Sequence, residues 1–396
     1  MKILQINNFY KFFGGSDKVV LNEETLLRNH NEQVIKFYKH SSEIDNYSFF
    51  QKILILKGIL CNRKYLHELK ILIEKEKPDV AHIHNIYPLL SIGIYKMLFS
   101  CKIPAVQTFH DHRLSILCPQ GNAYRHNQPC ELCHKGDYFS CIKNKCVKNN
   151  FALSAAYTAA VFQLNKREIL NRYLSAGIVL NDYLKDKIIR IGINPEILHY
   201  KPHFLAEDAG KVEYDKSDFM VYIGAVSKHK GLFTLLKAYD DPSFNIKLKI
   251  IGNGDDVEQL KNQIKNNKNI EYMGEIKSEK RFDIIKRAFC LVQPSECFET
   301  FGLTIMEAFA CATPVIGSRI GGIPYIIDDE VNGLLFSTGD HEDLKKKILY
   351  LYNNSTIQRK MAEQARSKFL NNYSSDGNYV RLKNIYQFAI DYFNHR

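Results

Sequence analysis

No stretch of this 396-residue chain is long and apolar enough to read as a membrane-spanning helix. No repeat of solenoid period and no low-complexity tract interrupts it, so neither a solenoid nor a disordered scaffold is expected. The opening Met1-Lys2-Ile3-Leu4-Gln5-Ile6 is too short an apolar run for a signal peptide and reads as a first buried strand. A cytoplasmic protein is therefore expected, with most of its ten cysteines reduced. An Asp-x-Asp clamp for a catalytic metal is also lacking. The nearest pairs, Asp255-Asp256 and Asp328-Asp329, are adjacent. No helix-turn-helix, RNP or finger spacing accompanies the positive charge, which argues against nucleic acid.

Acidic residues are scarce in one half only. Residues 1–200 hold 27 Lys/Arg against 17 Asp/Glu, a net +10, whereas residues 201–396 hold 27 against 26. The basic half should meet something anionic, such as a membrane surface or a phospholipid-linked substrate; the plain alternative is a solvated basic surface. Hydrophobic content of 45% and charged content of 24% are those of a globular protein, and the length suits two domains.

Short apolar runs alternate with amphipathic helical patterns. Ile3–Ile6, Val34–Tyr38, Val80–His84 and Ala105–Thr108 read as buried strands, as do Phe219–Ile223, Leu248–Gly252, Leu291–Gln293 and Pro314–Ile316. Between them, Lys18–Asn29, Lys64–Glu76, Leu232–Tyr239 and Val257–Asn266 read as helices. Such alternation predicts an α/β fold with parallel sheets and helices on both faces. The pattern restarts at Phe219, so two Rossmann-like sheets are expected, with a linker in the irregular stretch from Lys201 to Asp218. Ligands of such sheets bind at strand C-termini, and two facing sheets would make one cleft. Phe151–Leu164 is the most apolar helical stretch and follows Lys143, Lys145 and Lys148. A buried helix is favoured there over an interfacial one, because its polar residues are scattered.

The segment from Pro294 to Ala308 carries the chemistry. An apolar strand ends at Pro294-Ser295, Glu299 follows, Gly302 turns the chain, and a helix beginning at Leu303 carries Glu307. A helix N-terminus offers backbone N–H groups to a phosphate. Carboxylates accept from hydroxyls and repel phosphate, so Glu299 and Glu307 should face the sugar ends of a ligand that carries both groups. Gly14-Gly15 lies between a strand and a helix, either as a close approach to a phosphate or sugar or as an ordinary tight turn. Lys230-Gly231 closes a loop after Phe219–Ile223, where a lysine could offset charge on a leaving diphosphate. His110-Asp111 follows the strand Ala105–Thr108, and His110 there could bond sugar hydroxyls or move protons. Cys130-x-x-Cys133 with Cys118 and Cys146 fits a tetrahedral structural zinc, with Cys141 or His134 as substitutes; the alternative is cysteines without metal.

Pro294-Ser295, Glu299, Phe301-Gly302-Leu303, Glu307-Ala308, Thr313-Pro314-Val315 and Gly321-Gly322 resemble, in order and spacing, the signature of retaining glycosyltransferase family 4. The resemblance implies a GT-B fold: an acceptor-binding domain over 1–203 and a nucleotide-sugar-binding domain over 204–375 facing across a cleft, with a last helix, 376–396, crossing back to the first. A Cys-rich insertion over about 112–150 resembles a subset of the family. The implied activity is sugar transfer from a UDP- or GDP-linked donor to a saccharide or polyprenyl-diphosphate-linked acceptor. The implied setting is polysaccharide assembly, peripheral at the inner face of the cell membrane. Glu299, His110 and Lys230 would be catalytic. Gly14, Gly15, Gly302, Leu303, Thr304 and Glu307 would bind the donor, with Asp111 and Lys228 as secondary candidates. His110 would contact the donor sugar, whereas His82 and His84 read as mainly structural. No catalytic cofactor is implied. Ala225 stands where the family has an arginine, Ala312 where it has a glycine and Tyr325 where it has a glutamate. These departures leave open a catalytically inactive glycan-binding or regulatory subunit.

Overall fold

The computed structural model describes residues 1–11, 14–48, 58–115, 118–206 and 208–396. Residues 116–117 of the expected insertion and 207 of the expected linker lie outside the described residues. Contacts group the chain into two compact units. The first comprises Met1–Ala123, Cys130–Ala206 and Asn378–Arg396; the second comprises Tyr124–Pro129 and Glu207–Gly377.

The first unit holds β1 (Lys2–Phe9), β2 (Gln33–His40), β3 (Val80–Ile83) and β4 (Ala105–Thr108), with β7 (Ala176–Val179) and β8 (Leu198–Tyr200). They form one parallel sheet in the order β2-β1-β3-β4-β7-β8. Helices Gly15–Asn29 and Arg63–Glu76 are among the crossovers. β1 runs past Ile6 with Asn7 and Asn8 buried: their Oδ1 atoms accept the N–H of Asn85 and Leu89, and Asn8 Nδ2 donates to the Phe9 carbonyl and Ser41 Oγ. The last helix, Ser375–Asn394, packs Leu382, Ile385, Tyr386 and Ala389 on Ile3, Leu27, Val80 and Val106 of this sheet layer. Four buried apolar side chains at helical spacing give it its place.

The second unit repeats the design with β9 (Phe219–Ile223), β10 (Lys247–Ile251), β11 (Ile270–Gly274), β12 (Cys290–Gln293), β13 (Val315–Ser318) and β14 (Gly333–Phe336). The order is β11-β10-β9-β12-β13-β14, all parallel. Its core joins Met220, Leu248, Ile250, Val292 and Ile316 to helix residues such as Leu235 and Ile348.

Three expectations need correction. The linker does not begin at Lys201: residues 201–205 are buried, and the Lys201 N–H bonds the Val179 carbonyl. Prolines and mixed charge suggested exposure, but a buried partner satisfies this lysine. The insertion is not one piece of the first unit, because the hairpin Tyr124–Arg125/Gln128–Pro129 groups with the second. Six strands lie where the reading proposed none: β5 (Tyr124–Arg125) and β6 (Gln128–Pro129) of that hairpin, with β7, β8, β11 and β14. The helix Phe151–Lys166 buries Ser154, Tyr157, Thr158, Ala160, Val161 and Leu164 and leaves Phe151 and Phe162 exposed. Among the described residues, no helix is long and apolar enough to cross a membrane.

Candidate active site

In the second unit the site grows from the end of β12. Gln293 is buried and its amide is used at both ends. Its Oε1 accepts from Thr304 Oγ1 at 2.8 Å, and its Nε2 donates to Ser295 Oγ at 2.9 Å. Ser295 Oγ then donates to Glu299 Oε1 at 2.7 Å. Lys230 Nζ reaches the same oxygen at 2.6 Å. The Gly322 N–H donates to the Glu299 carbonyl at 2.7 Å, fixing the backbone beneath the carboxylate. Burial pushes the Glu299 carboxyl up, but Lys230 outweighs it and holds the group below its ordinary range. Burial likewise pulls the Lys230 ammonium down, and Glu299 outweighs that in turn. Both groups are charged at neutral pH.

Two glycines make this geometry possible. Gly231 has φ +70°, and a Cβ there would lie 1.7 Å from the Pro294 carbonyl oxygen. Lys230-Gly231 and Pro294-Ser295 are therefore one packed unit, which brings Lys230 to Glu299. Gly302, at φ +114°, turns the chain into the helix Leu303–Ala310, where a Cβ would crowd Ile305. The first N–H groups of that helix, including those of Leu303 and Thr304, have no intrahelical acceptor. Glu307, on the same helix, is 4% exposed and accepts from Arg281 Nη2 at 2.7 Å. Ala225 is exposed on its loop, and Lys228 is exposed with its N–H bonded to Asp256. Ala312 adopts φ +51°, which accounts for glycine being the usual residue there.

In the first unit the Gly14 N–H donates to Asp17 Oδ2 at 3.1 Å, capping the helix Gly15–Asn29. That N–H is thus engaged within the loop. A pocket at the end of β4 is lined by Tyr10, His84, Tyr87, His110, Asp111 and Arg113. Asp111 accepts from Tyr10 OH at 3.2 Å, from the Arg113 backbone N–H at 2.8 Å and from the Arg113 guanidinium. His84 Nδ1 and His110 Nε2 share a hydrogen bond of 2.9 Å, and His203 stacks on His110.

Burial pushes His110 down to about 4, with Glu23 and Asp111 opposing and Lys201 assisting. His82, His84 and His203 are held well below the ordinary imidazole value, chiefly by burial. These rings are neutral in the fold and would take up protons on unfolding. Stability is therefore fully present above the unfolded value near 6.5 and is lost as pH falls toward 4. For His110 alone the full loss is on the order of 3 kcal/mol. The urea midpoint of the first unit should fall steadily from pH 7 to 4.5, less steeply in His110→Asn. A flat profile would contradict the neutral state of these rings.

The cysteines of the insertion gather in part. Cys118 and Cys133 share a thiol hydrogen bond, as do Cys141 and Cys146, and Cys133 also feels Cys141 and Cys130 electrostatically. Cys141 thus joins the four cysteines expected from spacing. All ten cysteines are free thiols. Thiols suit a tetrahedral zinc by donor chemistry. Among the described residues, the one trio of ligand atoms within 4.8 Å of one another is Glu23, His82 and His84, so the cysteine sulfurs approach in pairs and no three of them gather within that distance.

Residues 205–368 match the model of the glycosyl transferases group 1 family. Over 98% of both chains the protein is 27% identical to an uncharacterized glycosyltransferase of Methanocaldococcus jannaschii. It is 24% identical to an O-antigen chain mannosyltransferase of Escherichia coli over 54% of this chain and 58% of that one. The HepE protein of Anabaena in complex with UDP superposes with a TM-score of 0.67, covering 97% of this chain and 99% of that one at 15% identity. Sucrose-phosphate synthase of Thermosynechococcus elongatus gives 0.70 over 98% of each chain at 16% identity. The fold is of the GT-B class, an α/β architecture with two six-stranded parallel sheets.

Sequence reading found Glu299, Glu307, Lys230 and His110 but missed Arg281, Tyr10, Arg113, Glu23, Lys201 and His203. A signal for Glu23 was present. It shares the buried helix stripe with Val19, Val20, Leu26 and Leu27, and a carboxylate inside such a stripe demands a partner. Arg281 carried no signal: its helix, Ser278–Arg287, holds four basic residues, and nothing local marks one of them for Glu307.

Proposed function

We propose that the protein is a retaining glycosyltransferase that uses a UDP- or GDP-linked sugar. The observation that carries this reading is the Lys230–Glu299 pair at 2.6 Å, tied through Ser295 and Gln293 to the helix that begins at Leu303. Lys230 would balance charge on the leaving diphosphate, and the N–H groups of Gly302, Leu303 and Thr304 would bind it. Glu299 would hold sugar hydroxyls and stabilise the cationic anomeric carbon. Glu307, oriented by Arg281, would accept from the ribose hydroxyls. The bond from C1 to the diphosphate oxygen breaks, the acceptor oxygen bonds C1 on the same face, and its proton passes to the leaving phosphate. His110 is assigned to the donor sugar, with Gly14, Gly15, Asp111 and Lys228 in supporting roles. HepE has been solved with UDP and with UDP-glucose, which supports a nucleotide-sugar donor.

The acceptor we propose is a saccharide or polyprenyl-diphosphate-linked saccharide, in polysaccharide biosynthesis at the cytoplasmic face of the membrane. The O-antigen mannosyltransferase supports that setting. So do exposed Phe139 and Phe151, which stand near Lys143, Lys145 and Lys148 in the chain. A structural zinc on Cys118, Cys130, Cys133 and Cys146, or with Cys141 replacing one of them, would order the insertion. One zinc per chain by elemental analysis is expected, and a metal-free preparation with an intact insertion would refute it.

Calorimetric titration with UDP-, GDP- and ADP-sugars tests the donor site. One nucleotide class should saturate. Glu307→Ala should weaken that binding about 10- to 100-fold, the worth of hydrogen bonds to a buried charge. Ala225, which leaves its loop without the expected cation, favours the second reading, an inactive glycan-binding subunit. Folded protein that binds no nucleotide sugar would select that second reading.

A further inference from the structure

Behind His110 lies a buried polar cluster that the transferase reading does not use. Glu23 and Lys201 are both 0% exposed and form an ion pair at 2.5 Å, from Lys201 Nζ to Glu23 Oε1. They come from the first helix and from the chain just after β8, 178 residues apart. The other carboxylate oxygen, Glu23 Oε2, has no hydrogen-bond donor among the described residues. It lies 3.6 Å from His84 Nε2 and 3.7 Å from His82 Nδ1. His82 is held by Tyr386 and Thr108, each at 2.7 Å from one ring nitrogen. His84 Nε2 has no hydrogen-bond partner among the described residues, while its Nδ1 is bonded to His110 Nε2 at 2.9 Å.

Glu23, His82 and His84 have the donor atoms of a metal site. The ammonium of Lys201 already neutralises the carboxylate at bonding distance, however, and a dication would have to sit against it. Both nitrogens of His82 are also engaged. The cluster is better explained by the protons it orders.

We infer that the Glu23–Lys201 pair, acting through His84, fixes His110 as the Nε2–H tautomer and makes His110 Nδ1 an acceptor nitrogen. The chain of reasoning is electrostatic. A carboxylate oxygen 3.6 Å from a ring nitrogen is too distant for a good hydrogen bond, yet it repels a lone pair and attracts an N–H. His84 therefore carries its proton on Nε2. Its Nδ1 must then accept, so His110 Nε2 donates across the 2.9 Å contact. His110 Nδ1 is left as the acceptor. Such a nitrogen welcomes a hydroxyl proton and rejects a phosphate or carbonyl oxygen. Glu23 and Lys201 are thus positioning residues that set the proton pattern of His84 and His110. Only the assignment of that hydroxyl to a donor sugar rests on the proposed function; the tautomers are properties of the ligand-free chain.

Nitrogen NMR of ligand-free protein labelled at histidine tests the inference, with His110→Asn used to assign the resonances. In the wild type, His84 and His110 should each show a protonated Nε2 and a bare Nδ1. In Glu23→Gln, Lys201 should keep the amide oxygen and turn the amide NH2 toward His84 Nε2. His84 and then His110 should move their protons to Nδ1. A wild-type His110 protonated on Nδ1 overturns the inference. So does a folded Glu23→Gln protein with the wild-type pattern. If that variant fails to fold, the wild-type spectrum alone still decides. Failure of the transferase reading would instead appear as absence of nucleotide-sugar binding in calorimetry, with the tautomers untouched.

Discussion

Lys230→Ala should cut kcat by about 100- to 1,000-fold while changing donor affinity far less, on the transferase reading. The charge that Lys230 answers grows as the diphosphate departs, so its contribution is larger in the transition state than in the bound donor. The substitution also leaves Glu299 buried without its cation, and burial will push that carboxyl up. Single-turnover rates with a saturating donor, paired with calorimetric affinity for the same donor, separate the two effects. Turnover within about threefold of wild type would mean that another group balances the leaving charge, since one such donor is worth at least a hundredfold. Ala225, where the family pattern has an arginine, removes the other expected cation and makes the dependence on Lys230 steeper.

The second large effect concerns stability. Glu23→Ala or Lys201→Ala should destabilise the first unit by about 3–5 kcal/mol, because each strands a buried charge. For a unit of this size the melting point should drop by on the order of 10 °C. Glu23→Leu combined with Lys201→Met should recover most of that loss, since a buried pair gains little over an apolar pair of similar volume. Urea denaturation that resolves the first-unit transition measures this. Single variants within about 1 kcal/mol of wild type would show that the pair is not desolvated as its burial implies.

Much of the second unit was legible because its signals are local. β9 coincides with the expected Phe219–Ile223, and β12 and β13 lie within a residue or two of expectation. Buried parallel strands read as continuous apolar runs, and Gly302 and Gly231 announce turns through their lack of a Cβ. The edge strands β8, β11 and β14 were missed because they are short or carry mixed residues, such as Leu198-His199-Tyr200. Their strand state comes from pairing with a neighbour more than from intrinsic preference.

By itself the sequence determined the alternation of strands and helices, the α/β class, and the presence of Glu299, Glu307, Lys230 and His110 at element ends. Those are consequences of periodicity and chain reversal, which act over a few residues. Only the tertiary structure decided that Lys230 meets Glu299 across 69 residues, that Arg281 meets Glu307, and that Lys201 is sealed against Glu23. A charge is buried only where folding brings its opposite within bonding distance, and that pairing is written in no local stretch of chain.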